Sequence, residues 1–221
     1  MTQPVGADPG RTERTRVRRL PEKSVAERAA LHAVLDAGLV AHVGIADDTG
    51  QPYVLPVAYA RDGERVIFHG STGSRLFRAL AAGAPTCLTV TLLDGLVVAR
   101  SLFESSMRYR SVLALGTCAV LEGDAKAAAL DRICDHLMPG RRAEAREPNL
   151  KELAATLVLA LPLDETSVKV SAGDPDDDPA DLDRPVWAGV VPLAESYGAP
   201  ADAPDLRGDH PVPDYVLGWR R

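Results

Sequence analysis

Phe68-His69-Gly70-Ser71-Thr72-Gly73-Ser74-Arg75-Leu76 carries an apolar strand end through a Gly/Ser/Thr loop into the start of a helix. Chemically this is an anion cradle. Gly70 and Gly73 let the backbone come close to a ligand, and the hydroxyls of Ser71, Thr72 and Ser74 can donate. N–H groups of a first helical turn point outward, and Arg75 adds a fixed charge. The same residues also suit a plain strand-to-helix turn capped by Ser74, so both readings stand at this point. The segment is not a P-loop, because the spacing and the lysine are wrong.

Upstream of the loop the chain reads as one helix and three strands. Ser24 with Glu27 predicts a capping box, Leu31, Val34 and Leu35 share a face, and Gly38 ends the helix. Leu39 to Ile45, Tyr53 to Tyr59 and Arg65 to Gly70 are predicted strands, separated by Asp47-Asp48-Thr49-Gly50 and Asp62-Gly63. Pro56 favours an edge or a bulge.

Downstream, a helix over Ser74 to Ala82 is bounded by Gly83 and Pro85. Thr86 to Leu93 and Leu96 to Ser101 are predicted as a hairpin about Asp94-Gly95, and Arg110 to Leu121 as a further long strand. A second helix begins at Asp124, carries Leu130, Ile133, Cys134 and Leu137 at helical spacing, and stops at Pro139-Gly140. Thr156 to Leu161 and Ser167 to Ser171 complete the strands. About seven short strands with helices between them predict a mainly β chain, a barrel or sandwich with helices plugging or flanking it.

The domain reading is a flexible leader over 1–20, one β domain over 21–173, and an Asp/Pro-rich extension over 174–221 with an ordered island at Val186 to Leu193. The leader's basic run, Arg11 to Arg19, reads as a solvated tail or a strap across a partner. Asp176-Asp177-Asp178 lacks the glycine and terminal glutamate of a calcium hand and reads as a solvated acidic linker.

A net charge of -6 gives no overall field for nucleic acid or an anionic membrane. No apolar run approaches a bilayer span, no secretory or transit signal is visible, and the three cysteines have no metal-like spacing. A cytoplasmic protein is expected by elimination.

A second polar segment spans Ala99-Arg100-Ser101, Phe103-Glu104-Ser105-Ser106-Met107 and Tyr109-Arg110-Ser111-Val112. Arginines entering an apolar strand need an anion or a carboxylate, so this is either a ligand wall or an ion-pair array at an edge or dimer seam.

Together these residues resemble the FMN-binding split β-barrels, which include pyridoxamine 5'-phosphate oxidase and the nitroimidazole-resistance proteins. Ser74 and Arg75 match the Ser-Arg pair that grips the FMN phosphate in the oxidase, and His69-Gly70 matches the His-Gly pair of the nitroimidazole-resistance branch. Tyr53-Val54-Leu55-Pro56-Val57 stands where the family runs a strand past the isoalloxazine ring. Arg110-Ser111-Val112 through Gly116 is similar to the strand lying along the flavin. The strand from Lys169 to Gly173 and the Trp187-Ala188-Gly189 island are similar to the same branch. The resemblance spans roughly residues 14–193.

The resemblance implies a split β-barrel with flanking helices, binding FMN at a homodimer seam and acting on a small molecule. Val54, Leu55, Pro56, Val57, His69, Gly70, Ser71, Thr72, Ser74, Arg75, Arg110, Ser111 and Trp187 would line the cofactor. The flavin would do the redox chemistry itself, which accounts for the lack of a catalytic triad. His69 would be the titratable group beside it, or an iron ligand if haem were bound. Haem and deazaflavin are the alternative cofactors, and a non-enzymatic binder is the alternative function. Leu76 departs from the oxidase lysine, and the acidic tail has no match to its substrate-phosphate residues, so vitamin B6 oxidation does not follow.

Overall fold

The computed structural model describes residues 7–220. In chain order the strands are β1 (Ser24–Val25), β2 (Val40–Ala46), β3 (Pro52–Asp62), β4 (Arg65–Ser71), β5 (Thr86–Val98), β6 (Ser106–Gly116), β7 (Ala119–Val120), β8 (Thr156–Pro162), β9 (Glu165–Ser171) and β10 (Gly189–Pro192). The helices are α1 (Arg28–Ala37), α2 (Arg75–Ala81), α3 (Gly123–Leu137), α4 (Leu150–Ala154) and α5 (Asp214–Leu217).

The strands form one antiparallel sheet in the order β1-β9-β6-β5-β2-β3-β4-β8-β7, with β10 added to β5. Among the described residues the ladder does not close by hydrogen bonds. Only residues 163–164 separate β8 from β9, however, and these strands lie towards opposite ends of that order, so the chain itself draws the two ends together. Leu163 fixes the corner, fully buried, with its N–H on the carbonyl of Glu64 (2.9 Å).

Alternation then sorts the side chains into two cores. Val66, Phe68, Leu88, Val90, Val112, Leu159, Leu161 and Val168 face inward, where the Leu31–Val34–Leu35 stripe of α1 meets them. On the outer face of β4 and β8, Ile67, Val158 and Ala160 pack under Ala129 and Ile133 of α3. Tyr59 is fully buried in the first core and donates to the carbonyl of Leu35 (2.7 Å), which ties α1 to the sheet.

β3 is divided lengthwise. Residues 52–58 pair with β2, whereas Tyr59–Asp62 pair with β4. From Pro52 to Ala58 the strand therefore has one ladder and one bare edge. Pro56 sits in this stretch, as its missing N–H requires.

Four expectations change. Asp94-Gly95 is not a hairpin: β5 runs straight through it, with a register shift between Leu93 and Gly95 against β6. Gly95 is there for close approach, since a Cβ would come within 2.9 Å of the Val191 carbonyl on β10. Ser24 does not cap α1; it pairs with Lys169, and Glu27 stands at the N-cap without a side-chain bond. The predicted strand Arg110 to Leu121 breaks at Gly116, and β7 crosses to β8. The helix α4 was not expected; Asn149 and Glu152 form the capping box that opens it.

The leader and the acidic tail are also more fixed than their composition suggests. Residues 1–6 of the leader lie outside the described residues. From Gly10 onward it is tied to β9: Gly10 N–H bonds the Thr166 carbonyl (2.7 Å), and Glu165 receives both Thr12 (2.7 Å) and Arg14. In the tail, Asp177 is no solvated linker residue. Its carboxylate is 1% exposed and takes the N–H (2.6 Å) and guanidinium (2.9 Å) of Arg100.

Candidate functional site

The Phe68–Leu76 elbow starts from alternation on β4. Phe68 points into the barrel core, so His69 points out towards α3 and Gly70 points back in. A Cβ on Gly70 would lie 2.3 Å from the ring of Phe77, and that ring stacks edge-on with Phe68 at 5.8 Å. Glycine at 70 thus lets α2 pack down on the sheet. The loop closes on itself: Ser71 accepts from Gly73 N–H (3.1 Å), Ser74 N–H bonds the Ser71 carbonyl (3.0 Å), and Thr72 N–H bonds Ala155 (3.0 Å). The Ser74 hydroxyl caps Phe77 N–H at 3.5 Å, so the plain cap reading is present in the structure.

What the cap does not use is Arg75. Among the described residues no carboxylate pairs with it; its guanidinium lies over the ring of Tyr53, 4.3 Å from the centroid. Arg75 and Tyr53 stand on the wall of a cavity of about 650 Å³, together with Ser74, Leu55, Asp47 and Asp48. Small residues of α2 and the turn after it, Ala79 and Ala82 to Ala84, form another part of its lining. Asp47 is held below the usual carboxylate range, first by the Thr49 hydroxyl and then by the N–H groups of Gln51 and Thr49, with a further bond from Tyr53. Leu55 belongs to the bare stretch of β3, where Val54, Leu55 and Pro56 are exposed and Val57 packs on the core.

His69 does not share this cavity. It lines a second one of about 370 Å³ under α3 and α4, with Leu130, Ile133, Leu137, Met138 and Leu153. Cys134 and Glu152 also reach it. The His69 ring hydrogen-bonds to nothing among the described residues, and its apolar surroundings push its pKa down, which favours neutral imidazole. A neutral ring with a free nitrogen is the form that ligates a metal.

Arg110, Ser111 and Trp187 lie elsewhere on the same chain. Arg110 makes a two-pronged pair with Asp94 (2.7 and 2.9 Å) beside a third cavity of about 490 Å³, whose wall also carries His136 and Tyr197. Ser111 pairs across to Thr91 and Lys169. Trp187 is 64% exposed and folds over Gly189, where a Cβ would meet its ring at 2.7 Å. The ion-pair reading of the arginine segment therefore holds within one chain: Arg100, Arg108 and Arg110 are each matched by an aspartate.

Sequence reasoning placed Tyr53 on the strand beside the flavin ring but left it out of the cofactor-lining residues, and it missed Asp47, Asp48 and the α3–α4 wall around His69. Tyr53 carried a signal, because it shares strand parity with Leu55. The α3 residues carried none, since a helical stripe looks the same whether another element covers it or a cavity does.

Against known proteins, the family model described as pyridoxamine 5'-phosphate oxidase matches residues 27–170. A FAD and haem binding protein from Mycobacterium smegmatis is 48% identical, over 89% of this chain and 96% of that one, with a TM-score of 0.85. The flavocytochrome Anf3 from Azotobacter vinelandii is 39% identical, over 98% of this chain and 99% of that one, with a TM-score of 0.88. A candidate 5-nitroimidazole antibiotic resistance protein from Bacteroides thetaiotaomicron, 22% identical over 66% of this chain and 86% of that one, shares the fold at a TM-score of 0.57. No curated protein matches the chain. With the matched segment spanning the split barrel from α1 to β9, this chain belongs to the pyridoxamine 5'-phosphate oxidase family.

Proposed function

We propose that this protein is a flavin-dependent oxidoreductase for a small organic molecule, with the flavin phosphate on Ser74 and Arg75 and haem as a second group on His69. The observation that carries the flavin reading is Arg75: an arginine that forms no ion pair among the described residues, set in a cavity next to the bare edge of β3. A terminal or bridging phosphate supplies the missing counter-charge. FMN and FAD both place a phosphate beyond the ribityl chain, so the cavity serves either. The unpaired backbone groups of residues 54–57 are free to bond the polar rim of a flat ring. A bound flavin supplies hydride or single-electron transfer, and haem supplies one-electron chemistry.

The haem reading is favoured by His69, whose pKa desolvation lowers in a mainly apolar cavity, and by two relatives, the FAD and haem binding protein at 48% identity and the flavocytochrome at 39%. Those residues fit a porphyrin's needs, one imidazole nitrogen and apolar walls for the macrocycle.

A homodimer completes the proposal. Leu102 and Phe103, 96% and 92% exposed at the tip between β5 and β6, suit burial against a second copy. No helix among the described residues is long and apolar enough to cross a membrane, and the three cysteines are unpaired, which suits a cytoplasmic setting.

The test is reconstitution of ligand-free protein with FMN, FAD and haemin, followed by visible spectra. Flavin bands are expected, with Arg75→Ala weakening flavin binding more than Arg78→Ala, which lies a turn further along α2. A haem Soret band is expected to depend on His69. Equal affinities in the two arginine variants overturn the phosphate site. Bound flavin that neither reduced nicotinamide nor another small reductant can bleach overturns the oxidoreductase reading.

A further inference from the structure

We propose that Tyr53 is a positioning residue, whose ring holds the Arg75 guanidinium ready for a flavin phosphate. The proposal rests on the flavin reading above and adds a residue to it.

The geometry separates Arg75 from the paired arginines of the sheet. Arg61 is held by Asp36, Arg65 by Asp62 and Arg110 by Asp94, each through a carboxylate that neutralises it. An arginine held in that way must give up its partner before it can bind an anion. Arg75 is instead fixed by an aromatic face, 4.3 Å from its centre, which restrains the side chain while leaving the positive charge and the edge N–H donors free. The platform is itself anchored. Tyr53 is half-buried, packs against the barrel core, and is paired through β3 with Ile45 of β2. It therefore joins the bare edge of β3 to the first turn of α2 across the wall of the 650 Å³ cavity.

Restraint matters because a long arginine side chain loses rotamer freedom when it grips a ligand. If Tyr53 has already imposed that restraint, its removal weakens binding only of ligands that carry the phosphate. Riboflavin has the same ring and ribityl chain as FMN without the phosphate, so the pair isolates the effect.

Fluorescence titration of wild type, Tyr53→Leu, Tyr53→Phe, Arg75→Ala and the Tyr53→Leu/Arg75→Ala double variant tests this. Tyr53→Leu is expected to weaken FMN about fivefold to tenfold, in line with cation–π strengths, and to change riboflavin less than about twofold. Tyr53→Phe keeps the ring and is expected to bind FMN within about twofold of wild type. In the Arg75→Ala background, Tyr53→Leu is expected to have no further effect on FMN. Equal losses for FMN and riboflavin in Tyr53→Leu, or fully additive losses in the double variant, overturn the proposal while leaving the phosphate site standing. A wild-type protein that binds FMN no better than riboflavin overturns the phosphate site and this proposal together. Should Tyr53→Leu fail to fold, Tyr53→Met, which keeps bulk without a ring, makes the same comparison.

Discussion

The ring of Phe77 occupies the space in which a side chain on Gly70 would begin, 2.3 Å from the position of a Cβ. One glycine thus sets how closely α2 seats on β4, and with it where Ser74 and Arg75 stand. Gly70→Ala must push Phe77 out of its edge-on stack with Phe68. We expect a loss of about 1–3 kcal/mol in stability, the usual cost of overpacking, visible in urea denaturation. Flavin affinity should fall with it, because the displaced helix carries Arg75.

The bulge at Asp94 and Gly95 is predicted to hold the C-terminal extension. A methyl group at 95 would meet the Val191 carbonyl at 2.9 Å, a backbone atom that cannot swing aside. Gly95→Ala should therefore release β10 from β5 and leave the β5–β6 ladder intact. Hydrogen exchange checks this: amides of residues 189–191 lose protection, and those of β6 keep theirs.

His69 should make stability depend on pH. Burial lowers its pKa in the folded chain, whereas the unfolded chain takes up the proton at about 6.5. Below that value the unfolded state binds more protons, so stability rises with pH through this window and is fully regained above it. Wild type should lose more stability than His69→Gln between pH 7.5 and pH 5, each value being a condition chosen on either side of about 6.5. Parallel curves for the two proteins would count against a partly desolvated imidazole at this position.

The leader should detach when Glu165 is removed. Arg14 and Thr12 together hold that carboxyl below its ordinary range, so the clamp is present above the unfolded carboxylate pKa and is lost as pH falls through the folded one. Glu165→Ala is expected to speed tryptic cleavage within Arg14–Arg19 severalfold, with the thermal midpoint of the barrel nearly unchanged.

Much of the architecture could be read from alternation and helical spacing. β2, β3, β4, β8 and β9 fall where period-two segments stand between turn residues, and α1 and α3 where apolar stripes do. Asp94-Gly95 shows where such reading stops. The same dipeptide serves a hairpin or a bulge, and what decides between them is β10, about ninety-five residues further along, whose backbone needs room beside Gly95. Ser24 fails for a similar reason, since β9 takes its backbone into a ladder before it can cap a helix. At the site, the elbow reads as one cradle, yet strand parity sends His69 and Gly70 to opposite faces and so splits it across two cavities. Parity was visible in the sequence; which outer face a helix would cover was not.

The bare stretch of β3 has one more consequence, for handling the protein. An uncovered edge is where foreign strands add, and repeated addition of this kind ends in aggregation. Pro56 removes one donor from the edge and so blunts it, but Val54 and Leu55 beside it are apolar and exposed. Preparations stripped of ligand should precipitate sooner than loaded ones, because whatever occupies this edge also shields it from neighbouring molecules.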